Sequence, residues 1–484
     1  MSSKIVSMRY GYTPNDCIDV TSLCMKPTNK KYPKYEHDDT LPKKKLFVLY
    51  EGENAYRYEP VIPEEMLNMF EHEIGEKTLA SFQYDSIIQQ IDLKSSCNKN
   101  TIIYYIPYAM GFGFGPRSRM LQTLEYFIGN KFNIHLVATN KDSAFEPELI
   151  DYFKNNKIQI HIDDSYVETE HFLLKKINEI RPEFCFVNFL ASIRLLAIFK
   201  LIAKISKIIC DVHDIEQVMR ISREYVQKYC SNPLPYKDIK EFNNNVKKMV
   251  ISNYNKSFPE EKFKLVTALT HISPDDMEIY KLSKVGNANV FVPFILNEKF
   301  KPNYKRAVIV SSNNLYNVPS FIYFAKFLLP KLLKAIPDLQ IDLYGTICKE
   351  LDRMKFSCPN VKVKGVFNKP YEPYENASFS INITMFGSGT KTKINESISY
   401  NVPVLSHDVS AGGSILVHNF NGLIAGDEDD FVKCFKTMYR DTSLCKKFGK
   451  NCQETLKLVK KEYNKNMNEI FVDRTVKKLY DETK

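Results

Sequence analysis

From Thr101 onward, short apolar runs alternate with stretches whose apolar residues recur every three or four positions, the pattern of strands alternating with amphipathic helices. "TIIYYIPY" predicts a buried strand, "GFGFG" a turn, and "PRSRMLQTLEYFIGN" a helix that opens on a proline and ends at Gly129-Asn130. "FNIHLVAT", "KIQIHI", "FCFVNF", "KIICDVHD" and "LTHIS" read as further strands, with "ETEHFLLKKINEI" a helix among them. A linker, "LNEKFKPNYKR", then carries lysines and a proline, and the alternation restarts. "AVIVSS", "QIDLYG", "VKVKGVF", "FSINIT" and "VPVLS" are strands, and "VPSFIYFAKFLLPKLLKAI" is a helix. Two helical segments close the chain, including "EIFVDRTVKKLY". No repeat of short period appears. The expected organisation is an amino-terminal extension over 1–100, two open α/β domains over 101–297 and 305–460, and a carboxyl-terminal helix over 461–484. Strands with both faces apolar imply doubly wound parallel sheets, whose ligands bind at the carboxyl ends of the strands. The extension is polar, with one strand expected in "PKKKLFVLYEGEN".

Composition narrows the class. The 484 residues are too many for one ordinary core, and 44% hydrophobic content with 13% aromatics supports buried cores rather than disorder. The net charge of +10 is spread along the chain, which favours anionic partners such as nucleotides or lipid headgroups. The eleven cysteines are odd in number and contain no CxxC pair, as expected of a reduced, cytoplasmic chain without a zinc knuckle. The start, "MSSKIVSMRYGYTPND", has no apolar core of a secretory signal. The most apolar region, Phe184–Cys210, is interrupted by Arg194, Lys200, Lys204 and Lys207, so a strand followed by a basic amphipathic helix fits it better than a membrane span. That helix is compatible with a peripheral place on an anionic membrane, although covering the sheet is the plainer role.

The stretch "GSGTKTKINESISYNVPVLS", Gly387 to Ser406, carries the chemistry. Gly387 and Gly389 let backbone approach a ligand closely. Thr390 or Thr392 is expected to cap the following helix, whose free N–H groups and positive dipole end form an anion site. Lys391 and Lys393 add charge, and Lys393 and Glu396 lie three apart on neighbouring ridges. Thr390 to Glu396 spans about 9 Å of helix axis, of the order of the distance from a distal phosphate to a ribose. A carboxylate suits a vicinal diol there. The competing reading is a solvated helix start whose charges pair with each other.

This stretch resembles the carboxyl-terminal motif of family 4 glycosyltransferases, which have the GT-B architecture of two facing Rossmann-like domains. Asn401-Val402-Pro403-Val404 matches the family's Gly/Asn-x-Pro-Val strand, and "HNFNGLIAGDEDDFVKCFKTMYRDTSLCKKFGKNC" resembles its closing segment. The resemblance covers roughly Thr101 to the end. It implies that Glu396 holds the ribose hydroxyls as the second of two motif glutamates. The first, which contacts the donor sugar, falls at Ser388, a departure that bears on the donor sugar and on turnover. The resemblance further implies a retaining, metal-independent glycosyltransferase that moves a sugar from a nucleotide sugar to a glycan, lipid-linked or protein acceptor, with no cofactor and no metal.

Other constellations take their places from that resemblance. His213 in "CDVHDIEQ" would stand near the transferring sugar, making His213 and Glu396 the catalytic candidates. Gly113, Gly115 and Arg117 in the amino-terminal glycine turn, with Asn313, Lys391 and Lys393, would hold the donor phosphates. Ser388, Gly389, Thr390, Gly345, Val366 and Phe367 would line the sugar and nucleoside. A dinucleotide site at "GFGFG" is the rival, but "HLVATNKD" ends in Thr139-Asn140, without the acidic residue such a site uses. An Asp-x-His-Asp metal site at Asp211–Asp214 lacks further ligands in the sequence nearby. The alternative function is a GT-B-shaped binding or scaffold protein without turnover. Nucleic acid is not an expected partner, because arginine and aromatic residues do not cluster.

Overall fold

The computed structural model describes residues 5–11, 17–19, 45–50, 57–59, 96–106, 114–138, 147–162, 169–188, 196–229, 234–253, 260–282, 288–293, 300–304, 306–387 and 389–473. In the amino-terminal extension β1 (Ile5–Gly11), β2 (Cys17–Asp19), β3 (Lys45–Tyr50) and β4 (Arg57–Glu59) form an antiparallel sheet in the order β2-β1-β3-β4. The strand expected after the lysine run is β3, one of four.

The first lobe is a seven-stranded sheet, parallel throughout, of β5 (Asn98–Ile106), β6 (Asn133–Ala138), β7 (Gln159–Ile162), β8 (Pro182–Asn188), β9 (Lys207–Val212), β10 (Ala268–His271) and β11 (Asn289–Phe291). Its order is β11-β10-β9-β8-β5-β6-β7. The second lobe is a six-stranded parallel sheet of β12 (Arg306–Val310), β13 (Ile341–Tyr344), β14 (Val361–Gly365), β15 (Ala377–Asn382), β16 (Val404–His407) and β17 (Gly422–Ala425), in the order β14-β13-β12-β15-β16-β17. With strands numbered within each sheet, the first runs 3-2-1-4-5-6-7 and the second 3-2-1-4-5-6, each with a switch point beside strand 1. The two Rossmann-like lobes expected from the alternation are present.

Continuous apolar runs become central strands because both faces are covered. Along β5, Ile103 and Tyr105 enter one core while Ile102, Tyr104 and Ile106 enter the core on the opposite face. Ala307 and Ile309 are divided from Val308 and Val310 in the same way along β12. The helix expected after β12 runs from Asn317 to Ala335 with a π turn at Phe324–Leu328. Pro330 lies two residues beyond it, and its missing N–H removes the bond to the Lys326 carbonyl inside that turn.

Seven helices matter below: α1 (Phe114–Gly129), α2 (Glu216–Tyr229), α3 (Tyr236–Asn253), α4 (Pro274–Leu282), α5 (Thr392–Ser399), α6 (Glu428–Arg440) and α7 (Thr442–Phe471). α7 is continuous across the boundary expected at 460/461. Its first half buries Cys445 and Phe448 in the second lobe, and its end buries Met467, Ile470 and Phe471 in the first. α2 and α3 also reach the second lobe: Val226, Tyr236 and Ile239 join its core. Among the described residues, no helix is long and apolar enough to cross a membrane.

Candidate active site between the lobes

β9 ends in Asp211 and Val212, and the chain turns through His213 and Asp214 before α2. Asp211 is fully buried and accepts from three neighbours. Arg119 on α1 donates from Nε to Oδ2 (3.0 Å) and from Nη2 to Oδ1 (2.9 Å), and Thr270 Oγ1 donates to Oδ1 (2.6 Å). His213 Nε2 lies 2.8 Å from Oδ2. Burial alone would raise the Asp211 pKa, but the charges of Arg119 and His213 and their hydrogen bonds hold it well below the usual carboxylate range. An ionised carboxylate only accepts, so His213 Nε2 carries a proton and the ring orientation is fixed. Arg119 is itself anchored, with Nη1 donating to Gln122 Oε1 (3.2 Å) and to the Pro293 carbonyl (3.3 Å). The strand-end histidine thus rests on a buried ion pair.

In the second lobe, the loop after β15 runs through Gly387 and Gly389 into α5. Gly389 has φ +71°, the left-handed region that glycine reaches without cost. Lys391 is the N-cap residue, and no side chain caps the helix. The expectation of a threonine cap is therefore corrected: Thr390 Oγ1 donates to the Gly413 carbonyl at 2.7 Å and is not available as a cap. An uncapped first turn keeps its N–H groups for another acceptor. α5 ends with Asn401 at φ +60°, a left-handed residue ahead of Pro403, as helices commonly close.

Lys393 and Glu396 meet as their spacing predicts, with Lys393 Nζ donating to Glu396 Oε2 at 2.7 Å. Glu396 is only 4% exposed. The buried Tyr374 hydroxyl adjoins this carboxylate, and its pKa is pushed well above the ordinary value, by burial first, by the Glu396 charge next and also by hydrogen bonding to Glu396. A buried carboxylate is costly unless donors satisfy its oxygens.

The lobes meet at the glycine turn. A Cβ on Gly389 would lie 2.4 Å from the His213 carbonyl and 2.4 Å from Asp214 Oδ1, so only glycine fits. Gly389 N–H donates to Asp276 Oδ2 on α4 at 2.8 Å. Asp276 is buried and its pKa is pushed up to about 7, by desolvation first and by the neighbouring Asp214 charge second. Burial lowers the Lys391 pKa, and the charges of Asp214 and Asp276 oppose that shift. Its Nζ also donates to the Gly387 carbonyl (3.3 Å). The turn from β9 and the tip of α5 are therefore in direct contact, each at the carboxyl end of a parallel strand.

The family model of glycosyl transferases group 1 matches residues 305–441, all six strands of the second sheet with α5 and α6. The second lobe belongs to that family, and the chain is a glycosyltransferase. Solved structures of the GT-B fold resemble both lobes together. A glycosyltransferase from Rickettsia africae is similar at TM-score 0.53 and 12% identity, over 79% of this chain and 99% of that one. HepE from Anabaena, solved with UDP-glucose, is similar at TM-score 0.53 and 10% identity, over 76% and 99%. A TarM variant from S. aureus, solved with Fondaparinux, alpha-GlcNAc-glycerol and UDP, is similar at TM-score 0.52 and 10% identity, over 78% and 98%. No curated protein sequence matches the chain.

The glycosyltransferase places its other sequence-predicted residues as follows. Gly345 ends β13 at φ +109°, and a Cβ there would lie 2.0 Å from the Ser311 carbonyl at the end of β12, so glycine permits this close pass. The exposed Asn313 donates from its backbone N–H to Thr346 Oγ1 (2.7 Å), which ties the loops after β12 and β13 together. Val366 is exposed, whereas Phe367 is buried against the core beneath β12. Gly115 and Arg117 lie in the first turn of α1, and Arg117 is partly buried. Gly113 and Ser388 lie outside the described residues. Asp276 was missed by sequence reasoning. "SPDDMEIY" reads as a helix start with Ser273 three residues ahead of an acid, and Ser273 Oγ does accept from Asp276 N–H (3.3 Å), yet the carboxylate reaches the other lobe.

Proposed function

We propose that this glycosyltransferase moves a sugar from a nucleotide-sugar donor to a glycan, lipid-linked or protein acceptor, with retention at the anomeric carbon and without a metal. The observation that carries the reading is the uncapped tip of α5, with Lys391 and Lys393, meeting the His213–Asp214 turn of the opposite lobe. Breaking the donor bond leaves a diphosphate, so the chief demand is to stabilise growing negative charge. Preorganised N–H groups and lysines meet that demand without reorganisation, and do so more strongly where water is excluded. His213, oriented through Asp211 and Arg119, is assigned to position the transferring sugar. The buried Glu396 is assigned to accept from the ribose hydroxyls. HepE and TarM, solved with UDP-containing ligands, lend analogy for a uridine donor. A peripheral place at a membrane and a cytoplasmic location are part of the same reading.

The test is a mass-spectrometric screen of nucleotide-sugar consumption, followed by the same assay on Lys393→Gln. Glutamine keeps a donor for Glu396, so the fold is expected to survive while kcat/KM falls at least about 100-fold. Turnover like that of the unaltered chain would remove Lys393 from the donor site. Donor binding without any nucleotide release would favour a scaffold that keeps the site and has lost transfer.

A further inference from the structure

The groups assigned to the donor are already engaged by carboxylates of the opposite lobe. Asp276 Oδ2 accepts from Gly389 N–H at 2.8 Å, the hydrogen bond that an oxygen of the donor would accept at this turn. Asp214 reaches the same glycine so closely that an added Cβ would overlap its Oδ1. Both carboxylates act on Lys391. Next to them, Asp275 Oδ2 accepts from Lys247 on α3 (3.1 Å), so this corner of the first lobe presents three acids and one lysine to the anion-binding turn. Gly412 and Gly413 of the second lobe pack against Asp275 and Ser273, which seats α4 on the turn. An acidic corner pressed onto a turn built for anions is an unexpected pairing unless the acids stand where an anion belongs.

We propose that Asp276, seconded by Asp214, is an internal stand-in for the donor diphosphate: it holds the glycine turn and Lys391 across the lobes until the donor displaces it. The inference rests on the donor-site reading above and deepens it. No bond is made or broken. One anionic acceptor replaces another at Gly389 N–H, and Lys391 passes from the carboxylates to the phosphates. The exchange makes the empty protein self-satisfied, since neither the turn nor the lysine is left without a counter-charge. It also sets a competition, because every donor must work against an intramolecular anion of high effective concentration. The raised Asp276 pKa fits a carboxyl that has little solvent of its own and an acid for a neighbour.

The experiment is calorimetric titration of the full chain with UDP, GDP and ADP in turn, at pH 7.5 and fixed salt, for the unaltered protein, Asp276→Asn and Asp214→Asn. Asparagine keeps an oxygen for Gly389 N–H and removes the charge. Whichever nucleoside diphosphate binds is expected to bind at least about fivefold tighter to Asp276→Asn, with a smaller gain in Asp214→Asn. A purely structural role for Asp276 predicts the opposite direction, weaker binding as the turn loosens. Measurable binding that is unchanged or weaker in both folded variants overturns the stand-in and leaves the donor site intact. Binding of none of the three to any variant overturns the donor site and the stand-in with it. Should Asp276→Asn not fold, Asp214→Asn decides alone by the same criterion.

Discussion

At the scale of single residues, the most consequential group is one that touches no substrate in the reading above. Asp211 sits at 0% exposure between Arg119 at 3% and His213, so its charge is both required and enclosed. Removing it would leave the Arg119 guanidinium buried without a counter-charge. Breaking one side of a buried pair typically costs about 3–5 kcal/mol, although the intact pair contributes far less than that. Asp211→Asn is therefore expected to lose stability on that order in urea unfolding, and to lose transfer as well because His213 loses its anchor. The pH dependence has a definite sign. The folded-state pKa of Asp211 lies below its unfolded value of about 3.9, so the stabilisation is complete above that value and is lost only as pH falls toward the folded pKa. The Asp211 carboxyl itself should thus add no pH dependence to unfolding between pH 5 and 8. A loss that varied across that window would implicate another group. "CDVHDIEQ" made the strand-end aspartate and histidine legible in sequence. Arg119, 92 positions earlier, was visible only as a basic residue after a glycine turn, since pairing across a sheet leaves no local spacing.

At the scale of elements, α5 was the most legible part of the chain and also the part where local reasoning failed most instructively. Glycine turn, basic start and glutamate three residues after Lys393 are all local facts and appear as read, and the left-handed Asn401 before Pro403 is a local feature that only the structure brought out. The cap does not appear as read. Thr390 was available by sequence, but tertiary structure gave its hydroxyl to Gly413, 23 residues on, and left the first turn of α5 uncapped, while a carboxylate from the other lobe takes the Gly389 N–H of the turn ahead of it. Gly389 registers that contact twice over, through its positive φ and through the space its missing Cβ leaves for His213 and Asp214. Gly389→Ala must therefore shift the turn or part the lobes there. The expected outcome is a fall in nucleoside diphosphate affinity of at least about tenfold, with a stability cost of about 1–3 kcal/mol from strain and overlap. Calorimetry and urea unfolding read the two effects separately. Unchanged affinity would mean that the turn contacts the first lobe but not the donor.

For the whole molecule, hydrophobic periodicity made both sheets legible, because parallel strands buried on two faces announce themselves as apolar runs. What binds the lobes was not legible, since a helix that leaves one core for another has the same period in both. α7 begins against Cys445 and Phe448 of the second lobe and ends with Phe471 at 1% exposure inside the first. There the Phe471 ring lies 4.9 Å from Phe127, 5.0 Å from Phe184 and 6.2 Å from Phe186, centroid to centroid, at the heart of the β5–β8 face. Truncating a buried phenylalanine to alanine commonly costs about 3–5 kcal/mol, the lost transfer energy plus the cavity left behind. For Phe471→Ala that cost should fall on the first lobe, although the residue follows the second in sequence. Hydrogen exchange locates it: amides of β5 and β8 should lose protection, while those of β12 and β15 keep theirs. If protection is lost only in the last turns of α7, the helix end docks on a first lobe that is stable without it, and the lobes are free to change their spacing. If β5 and β8 respond, the carboxyl-terminal helix is part of the first core. Opening of the donor site is then expected to bend the segments that join both cores, α7 and α2–α3, with the Gly389–Asp276 contact as the part that separates.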